Sequence, residues 1–144
     1  MKSLNILLVD DDADDKEMFC EALGEIDLSH NCLWAKDGFD ALELLNKNNA
    51  TLPDYIFLDI NMPRINGRQC LHKIKASKTL RNIPVYIYST TKRDLEKQEM
   101  IEMGASGFVP KPDNYLQLVQ SLTNIIACSA SLLLLSSSIT TLLH

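Results

Sequence analysis

The chain has 144 residues and a formal net charge of −5 at pH 7, which fits one domain and disfavours a nucleic-acid-binding surface. Its 46% hydrophobic and 23% charged residues match an ordinary globular protein that buries a core without staples. The four cysteines, Cys20, Cys32, Cys70 and Cys128, form no CxxC pair, so they are read as core thiols of a reduced, cytosolic protein, with neither zinc nor a disulfide framework expected. The N-terminus carries no signal-peptide pattern.

The first apolar run, Asn5-Ile6-Leu7-Leu8-Val9, ends in Asp10-Asp11-Asp12. It predicts a strand covered on both faces, as in a parallel sheet. Asp12 is placed to cap a helix starting near Ala13, and Asp14, Asp15 and Glu17 suit its positive end. Met18, Phe19, Ala22 and Leu23 give that helix its apolar face, and Gly24 is expected to end it. Cys32-Leu33-Trp34-Ala35 reads as a short second strand. After the turn Asp37-Gly38, residues Ala41, Leu42, Leu44 and Leu45 mark a second helix ending in Asn46-Lys47-Asn48-Asn49.

Pro53-Asp54 precedes the central strand Tyr55-Ile56-Phe57-Leu58, whose β-favouring residues run straight into Asp59. Pro63 and Asn66-Gly67 take the chain off the sheet. Cys70, Leu71 and Ile74 define a third helix with Lys73, Lys75 and Lys78 on its wet side. Ile83-Pro84 introduces a fourth strand, Val85-Tyr86-Ile87-Tyr88, ending at Ser89-Thr90-Thr91. A charged helix from about Asp94 takes Leu95, Met100, Ile101 and Met103 as its inner face, and Gly104 closes it. Gly107-Phe108-Val109-Pro110 is a fifth strand stopped by Lys111-Pro112. Asp113 is expected to cap a last helix carrying Leu116, Val119, Leu122, Ile125 and Ile126.

Strand and helix alternate five times, which implies an α/β fold of parallel strands with right-handed crossovers. Asp10, Asp11, Asp59, Ser89 and Lys111 then gather on the edge formed by the strands' carboxyl ends, where such sheets bind ligands. Crowded carboxylates repel one another, and a cation offsets that cost. Hard oxygen donors of this kind suit Mg2+, which favours one or two carboxylates plus a phosphate. Lys111 and Ser89 add a charge and a hydrogen bond for such a phosphate. The set describes an aspartate phosphorylated with metal help. Singly, each residue has a plainer role: Asp59 a strand-end cap, Ser89 a turn residue, Lys111 a solvated charge, and Asp12, Asp14 and Asp15 helix-end charges only. The joint placement carries the reading.

With Leu8-Val9-Asp10-Asp11, Asp59-Ile60-Asn61-Met62-Pro63, Gly67, Ser89 after a Pro84-led strand, and Gly104-Ala105-Ser106-Gly107-Phe108 leading to Lys111-Pro112, the chain resembles the receiver domains of two-component response regulators over about residues 4 to 127. The opening Asp10-Asp11-Asp12-Ala13-Asp14-Asp15 is similar to that of stand-alone, phytochrome-associated regulators. The resemblance implies a flavodoxin-like doubly wound five-stranded parallel sheet in the order 2-1-3-4-5 with helices on both faces. It implies Asp59 as phosphoacceptor, and Mg2+ held by Asp10, Asp11, Asp59 and the Asn61 backbone carbonyl. Lys111 and Ser89 would contact the phosphoryl oxygens, Ser89 and Phe108 would form the switch, and Lys111-Pro112 is often cis. Ser89 stands where Thr is frequent, Thr90 where Ala is frequent, and Phe108 lacks the hydroxyl of a Tyr.

The implied role is a phosphorelay switch, cytoplasmic and not an enzyme beyond self-catalysed phosphorylation and dephosphorylation. Its donor is a histidine kinase or phosphotransfer protein, and its contact surface includes Lys92, Arg93, Lys97 and Phe108. No DNA-binding output domain is expected. The alternatives are a pseudo-receiver that is never phosphorylated, which the intact acid set and Lys111 disfavour, and a haloacid-dehalogenase-like phosphatase, which needs an acid where Asn61 stands. The receiver is assigned to residues 1–128 and a tail to 129–144. From Asn114 to Leu143 no residue is charged. Nine of the 22 residues from Leu122 to Leu143 are Ser, Thr or Asn, which disfavours a membrane span. The tail is expected to extend the last helix or pack on its own domain or a twin subunit, which supports a homodimer.

Overall fold

The carboxyl ends of five strands form the edge on which the candidate residues meet. The computed structural model describes residues 3–47 and 51–127. Its strands are β1 (Asn5–Val9), β2 (Asn31–Ala35), β3 (Tyr55–Leu58), β4 (Val85–Ser89) and β5 (Gly107–Pro110). The helices are α1 (Ala13–Ile26), α2 (Gly38–Leu45), α3 (Gly67–Ala76), α4 (Asp94–Glu102) and α5, helical over 115–127. The sheet order is β2-β1-β3-β4-β5 and every pairing is parallel, as the resemblance implies.

Apolar residues on both faces of each central strand give two cores. Leu7, Val9, Ile56, Leu58, Val85 and Ile87 face Ala41 and Leu45 of α2, Cys70, Leu71 and Ile74 of α3, and Met100 of α4. Ile6, Leu8, Tyr55, Phe57 and Tyr88 face Phe19, Ala22 and Leu23 of α1 and Leu118, Leu122 and Ile126 of α5. Phe19 joins the strands through rings 5.1 Å from Phe57 and 5.5 Å from Tyr88. Asp12 caps α1 by accepting from the Asp14 and Asp15 amides, as its position predicts.

Several elements differ from the sequence expectation. Gly24 does not end α1, which runs to Ile26 because Ile26 still has apolar residues to pack against. The cap of α5 is Asn114, whose side chain accepts from the Gln117 amide at 2.9 Å, in place of Asp113. Its buried stripe is Leu118, Leu122 and Ile126, one step each of i+4, which leaves Leu116 78% exposed. On α4 only Met100 is buried, while Leu95 is 79% exposed. The Lys111-Pro112 bond is trans, the lower-energy form for most X–Pro bonds, and no peptide bond is cis among the described residues. Cys20 and Cys32 are not separate thiols. They form a disulfide joining α1 to β2 across a sequence separation of 12, with Cα atoms 5.5 Å apart, and this overturns the reduced-thiol reading. Spacing cannot reveal such a pair, because helix packing on the adjacent strand brings it together. Cys70 stays free and buried, and burial pushes its thiol up to about 12.

One polar tie crosses from the loop after β3 to α2. Arg64, at φ 61°, pairs with Asp37 and lies 4.9 Å over the Phe39 ring. Asp37 also caps α2, accepting from the Asp40 amide at 2.8 Å. Burial works to raise the Asp37 carboxyl, but the Asp40 amide and the Arg64 guanidinium outweigh it and hold it below the usual carboxylate range. No helix among the described residues is long and apolar enough to cross a membrane. The tail over 129–144, with its dimer expectation, lies outside the described residues.

Two outcomes follow from these ties. Reduction raises the intact mass by two hydrogens, and a Cys20→Ser, Cys32→Ser double variant loses about 3 kcal/mol relative to the oxidised parent in urea unfolding; an unchanged mass contradicts the pairing. A depressed folded pKa stabilises the fold above the unfolded carboxylate value, about 4, and that stability is lost as pH falls through the folded value. Asp37→Asn therefore lowers stability at neutral pH and flattens the acid limb of a melting-temperature profile.

Candidate functional site

Sheet register brings the two buried acids together. Val9 pairs with Leu58, so Asp10 and Asp59 leave adjacent strands side by side. The Asp59 amide donates to Val9 O at 2.9 Å and the Asp10 amide to Ala35 O at 3.1 Å. Asp10 is 0% and Asp59 6% exposed, while Asp11 is exposed. One carboxylate oxygen from each of Asp10, Asp11 and Asp59 lies within 4.8 Å of the others. The local turns hold the buried pair: Asp10 Oδ1 accepts from the Asp12 amide at 3.0 Å, and Asp59 Oδ1 from the Asn61 amide at 3.4 Å.

Lys111 reaches into this cluster from the end of β5, where its amide donates to Ser89 O at 2.9 Å. Its side chain is 12% exposed, and its Nζ lies 2.8 Å from Asp10, 2.8 Å from Asp15 and 3.3 Å from Asp59. Burial pushes the Asp10 and Asp59 carboxyls above their ordinary values, against the pull of Lys111. Burial likewise pulls Lys111 down, but the Asp10 and Asp15 carboxylates outweigh it and hold the ammonium above its ordinary value. Three carboxylates, Asp10, Asp15 and Asp59, thus surround one ammonium, with Asp11 beside Asp10 and Asp59. Oxygen donors with uncompensated charge fit a hard divalent cation, and Asp10, Asp11 and Asp59 are the residues that could hold it.

The remaining candidates ring the same edge. Ser89 is fully buried at the end of β4, and its Oγ accepts from the Thr91 amide at 3.3 Å. The Thr91 hydroxyl donates to Glu96 at 3.1 Å, which ties this loop to α4. Phe108, paired with Ile87, is half-buried against the core with Lys97 Nζ 4.9 Å from its ring centroid. Asn61 lies in the exposed turn after β3, in a cleft of about 500 Å³ that also takes in Asp11, Arg68 and Glu96. Gly67 is the close approach that lets this turn fold: a Cβ there would stand 2.2 Å from Asp59 O and 2.6 Å from Ile60 Cα.

Two residues at the site escaped the sequence reading. Asp15 is a ligand of Lys111, not only a helix-end charge. The signal was present: Asp15 lies four residues before Phe19, on the inward face of α1. Trp34 donates from Nε1 to Asp10 O at 2.7 Å, and Lys16 covers its ring at 5.4 Å. No local pattern gives that contact, which depends on the β1–β2 register.

A doubly wound parallel sheet with an acidic pocket and a lysine at its carboxyl edge defines an α/β domain of the kind that binds its ligands at that edge. Residues 6–123 match the response regulator receiver domain family, and the chain belongs to that family. It is similar to the response regulator Rcp1 of Synechocystis, at 28% identity over 124 residues, covering 83% of this chain and 84% of that one. The E. coli transcriptional regulatory protein CpxR is 33% identical over 84% of this chain, which spans 48% of CpxR. Among solved structures, the phosphorylated cyanobacterial phytochrome response regulator RcpA has a TM-score of 0.79 at 31% identity, with 86% of this chain and 91% of that one covered. The Mn2+-bound form of Rcp1 has a TM-score of 0.76 at 28% identity, with 85% and 91% covered.

Gly67→Ala is expected to cost roughly 1–3 kcal/mol, the range for overpacking, and to weaken divalent-cation binding, because the Asp59 backbone must shift. Urea unfolding checks the first, and a Mg2+ titration followed by fluorescence of Trp34, the chain's one tryptophan, checks the second. Unchanged values for both contradict the close packing of Gly67 on Asp59.

Proposed function

We propose that this receiver is a Mg2+-dependent phosphorylation switch with Asp59 as the phosphoacceptor. The single observation that carries the reading is the buried Asp59 carboxylate facing Lys111 at 3.3 Å beside buried Asp10. The phosphoryl donor is a phosphohistidine of a histidine kinase or phosphotransfer protein. An Asp59 carboxylate oxygen attacks phosphorus, the P–N bond breaks, and its electron pair leaves on the imidazole nitrogen, giving an aspartyl phosphate. Asp10, Asp11, Asp59 and the Asn61 carbonyl would hold Mg2+, which would supply charge neutralisation for the phosphoryl oxygens when bound. The Mn2+-bound form of the similar Rcp1 supports a divalent cation in this reading.

Lys111 offsets charge on one phosphoryl oxygen, and the Ser89 hydroxyl donates to another. For that, Ser89 moves toward Asp59, opening room into which half-buried Phe108 turns. The link from Thr91 to Glu96 carries the shift to α4. Lys92, Arg93, Lys97 and Phe108 present the resulting change to a protein partner rather than to nucleic acid. The chain acts as a switch, at most catalysing its own phosphorylation and dephosphorylation.

Incubation with acetyl phosphate and Mg2+ adds the mass of one phosphoryl group to the parent and none to Asp59→Asn. No gain by a folded parent overturns the reading in favour of a pseudo-receiver. Mg2+ at about 100 times its dissociation constant should also stabilise the parent by about 2.7 kcal/mol.

A further inference from the structure

Lys111 has three ammonium protons, and three carboxylates lie around them. Its Nζ leans away from Asp59, at 3.3 Å, toward Asp10 and Asp15, each at 2.8 Å. A phosphoryl group on Asp59 brings further oxygens and draws Nζ toward them. Asp10 is fully buried and held by the Asp12 amide. Asp15 is 28% exposed and stands on α1, outside the acid pair that faces Asp59. The bond from Lys111 to Asp15 is therefore the one that lengthens when the ammonium shifts.

Beside this ammonium lies an unused donor. The Tyr88 hydroxyl is buried and has no hydrogen-bond partner, a costly condition for a polar group. Lys111 Nζ lies 5.5 Å from the Tyr88 ring centroid. The same ring packs 5.5 Å from Phe19, one turn after Asp15 on α1. Tyr88 and Asp15 therefore flank Lys111 from strand and helix.

We propose that Asp15 is a positioning residue that holds Lys111 back from the phosphoryl site in the resting protein, and that the Tyr88 hydroxyl takes the Asp15 carboxylate when Lys111 moves to the phosphoryl oxygens. The proposal rests on Asp59 being the phosphoacceptor. It makes Asp15 a brake on phosphoryl retention, because every gain by the phosphoryl oxygens breaks a formed ion pair. The Tyr88 hydroxyl offsets part of that loss, so Asp15 and Tyr88 act as a coupled pair.

The test is calorimetric titration with beryllofluoride, a tetrahedral mimic of the phosphoryl group, in excess Mg2+. Asp15→Asn is expected to bind on the order of five-fold more tightly than the parent, the scale of one partly exposed ion pair, and Asp15→Glu, which keeps the carboxylate, to bind like the parent. Tyr88→Phe is expected to weaken binding in the parent and to have no effect on Asp15→Asn. A merely structural role for either residue would not produce that coupling. Equal affinity in the parent and Asp15→Asn overturns the proposal, as does a Tyr88→Phe effect that is absent or equal in both backgrounds. A parent that binds no beryllofluoride removes the phosphoacceptor reading and this proposal with it. Loss of binding in Asp59→Asn together with equal affinity in the parent and Asp15→Asn would remove only this proposal and leave the phosphoacceptor reading standing.

Discussion

One ammonium serves three carboxylates, and the sheet edge is built to keep it there. Lys111 is fixed by its own amide on β4 and reaches Asp10, Asp15 and Asp59 from β1, α1 and β3. Two of these acids are buried, with carboxyls raised by desolvation. Repulsion within the cluster is relieved in part by Lys111 and in part by backbone amides, so the arrangement is favourable only with further positive charge or with fewer ionised acids. A divalent cation would offset that unrelieved charge, and under the proposed function the addition of a phosphoryl group with its counter-charges would be a large local event. Only a rigid frame holds such a cluster. The two apolar cores, with Phe19 bridging Phe57 and Tyr88, supply it.

The strands were the most legible part of the chain. The three central runs β1, β3 and β4 are apolar on both faces, and these and the edge strand β5 each end at a candidate site residue: Val9 before Asp10, Leu58 before Asp59, Ser89 itself, and Pro110 before Lys111. Strand ends and site residues coincide in such sheets, so a reading of one located the other. Helix faces were less legible. In α4 the apolar residues Leu95 and Ile101 were placed inside, yet they are exposed. Of that helix only Met100 is buried, and periodicity alone does not say which apolar position wins. In α5 the i+4 stripe runs through Leu118, two residues on from Leu116 and on a different side of the helix.

What sequence could not supply depends on tertiary register. The Cys20–Cys32 bond needs α1 to dock on β2. The Trp34 bond to the Asp10 carbonyl needs β1 paired with β2. Asp15 is intermediate: helical spacing from Phe19 turns it inward, but its acidic neighbours Asp12 and Asp14 at the start of α1 make a role as a helix-end charge the simpler reading. The polar face of the site therefore extends one helix beyond the residues that the family resemblance supplies.

The most direct measurement is the melting temperature of the parent and of Asp59→Asn, each without divalent cation and with saturating Mg2+. The account predicts that Asp59→Asn melts higher than the parent without metal, since one buried charge is gone from the cluster, and that Mg2+ raises the parent far more than the variant. A variant that melts lower than the parent without metal, or a parent indifferent to Mg2+, would contradict a charge-strained cluster awaiting a cation.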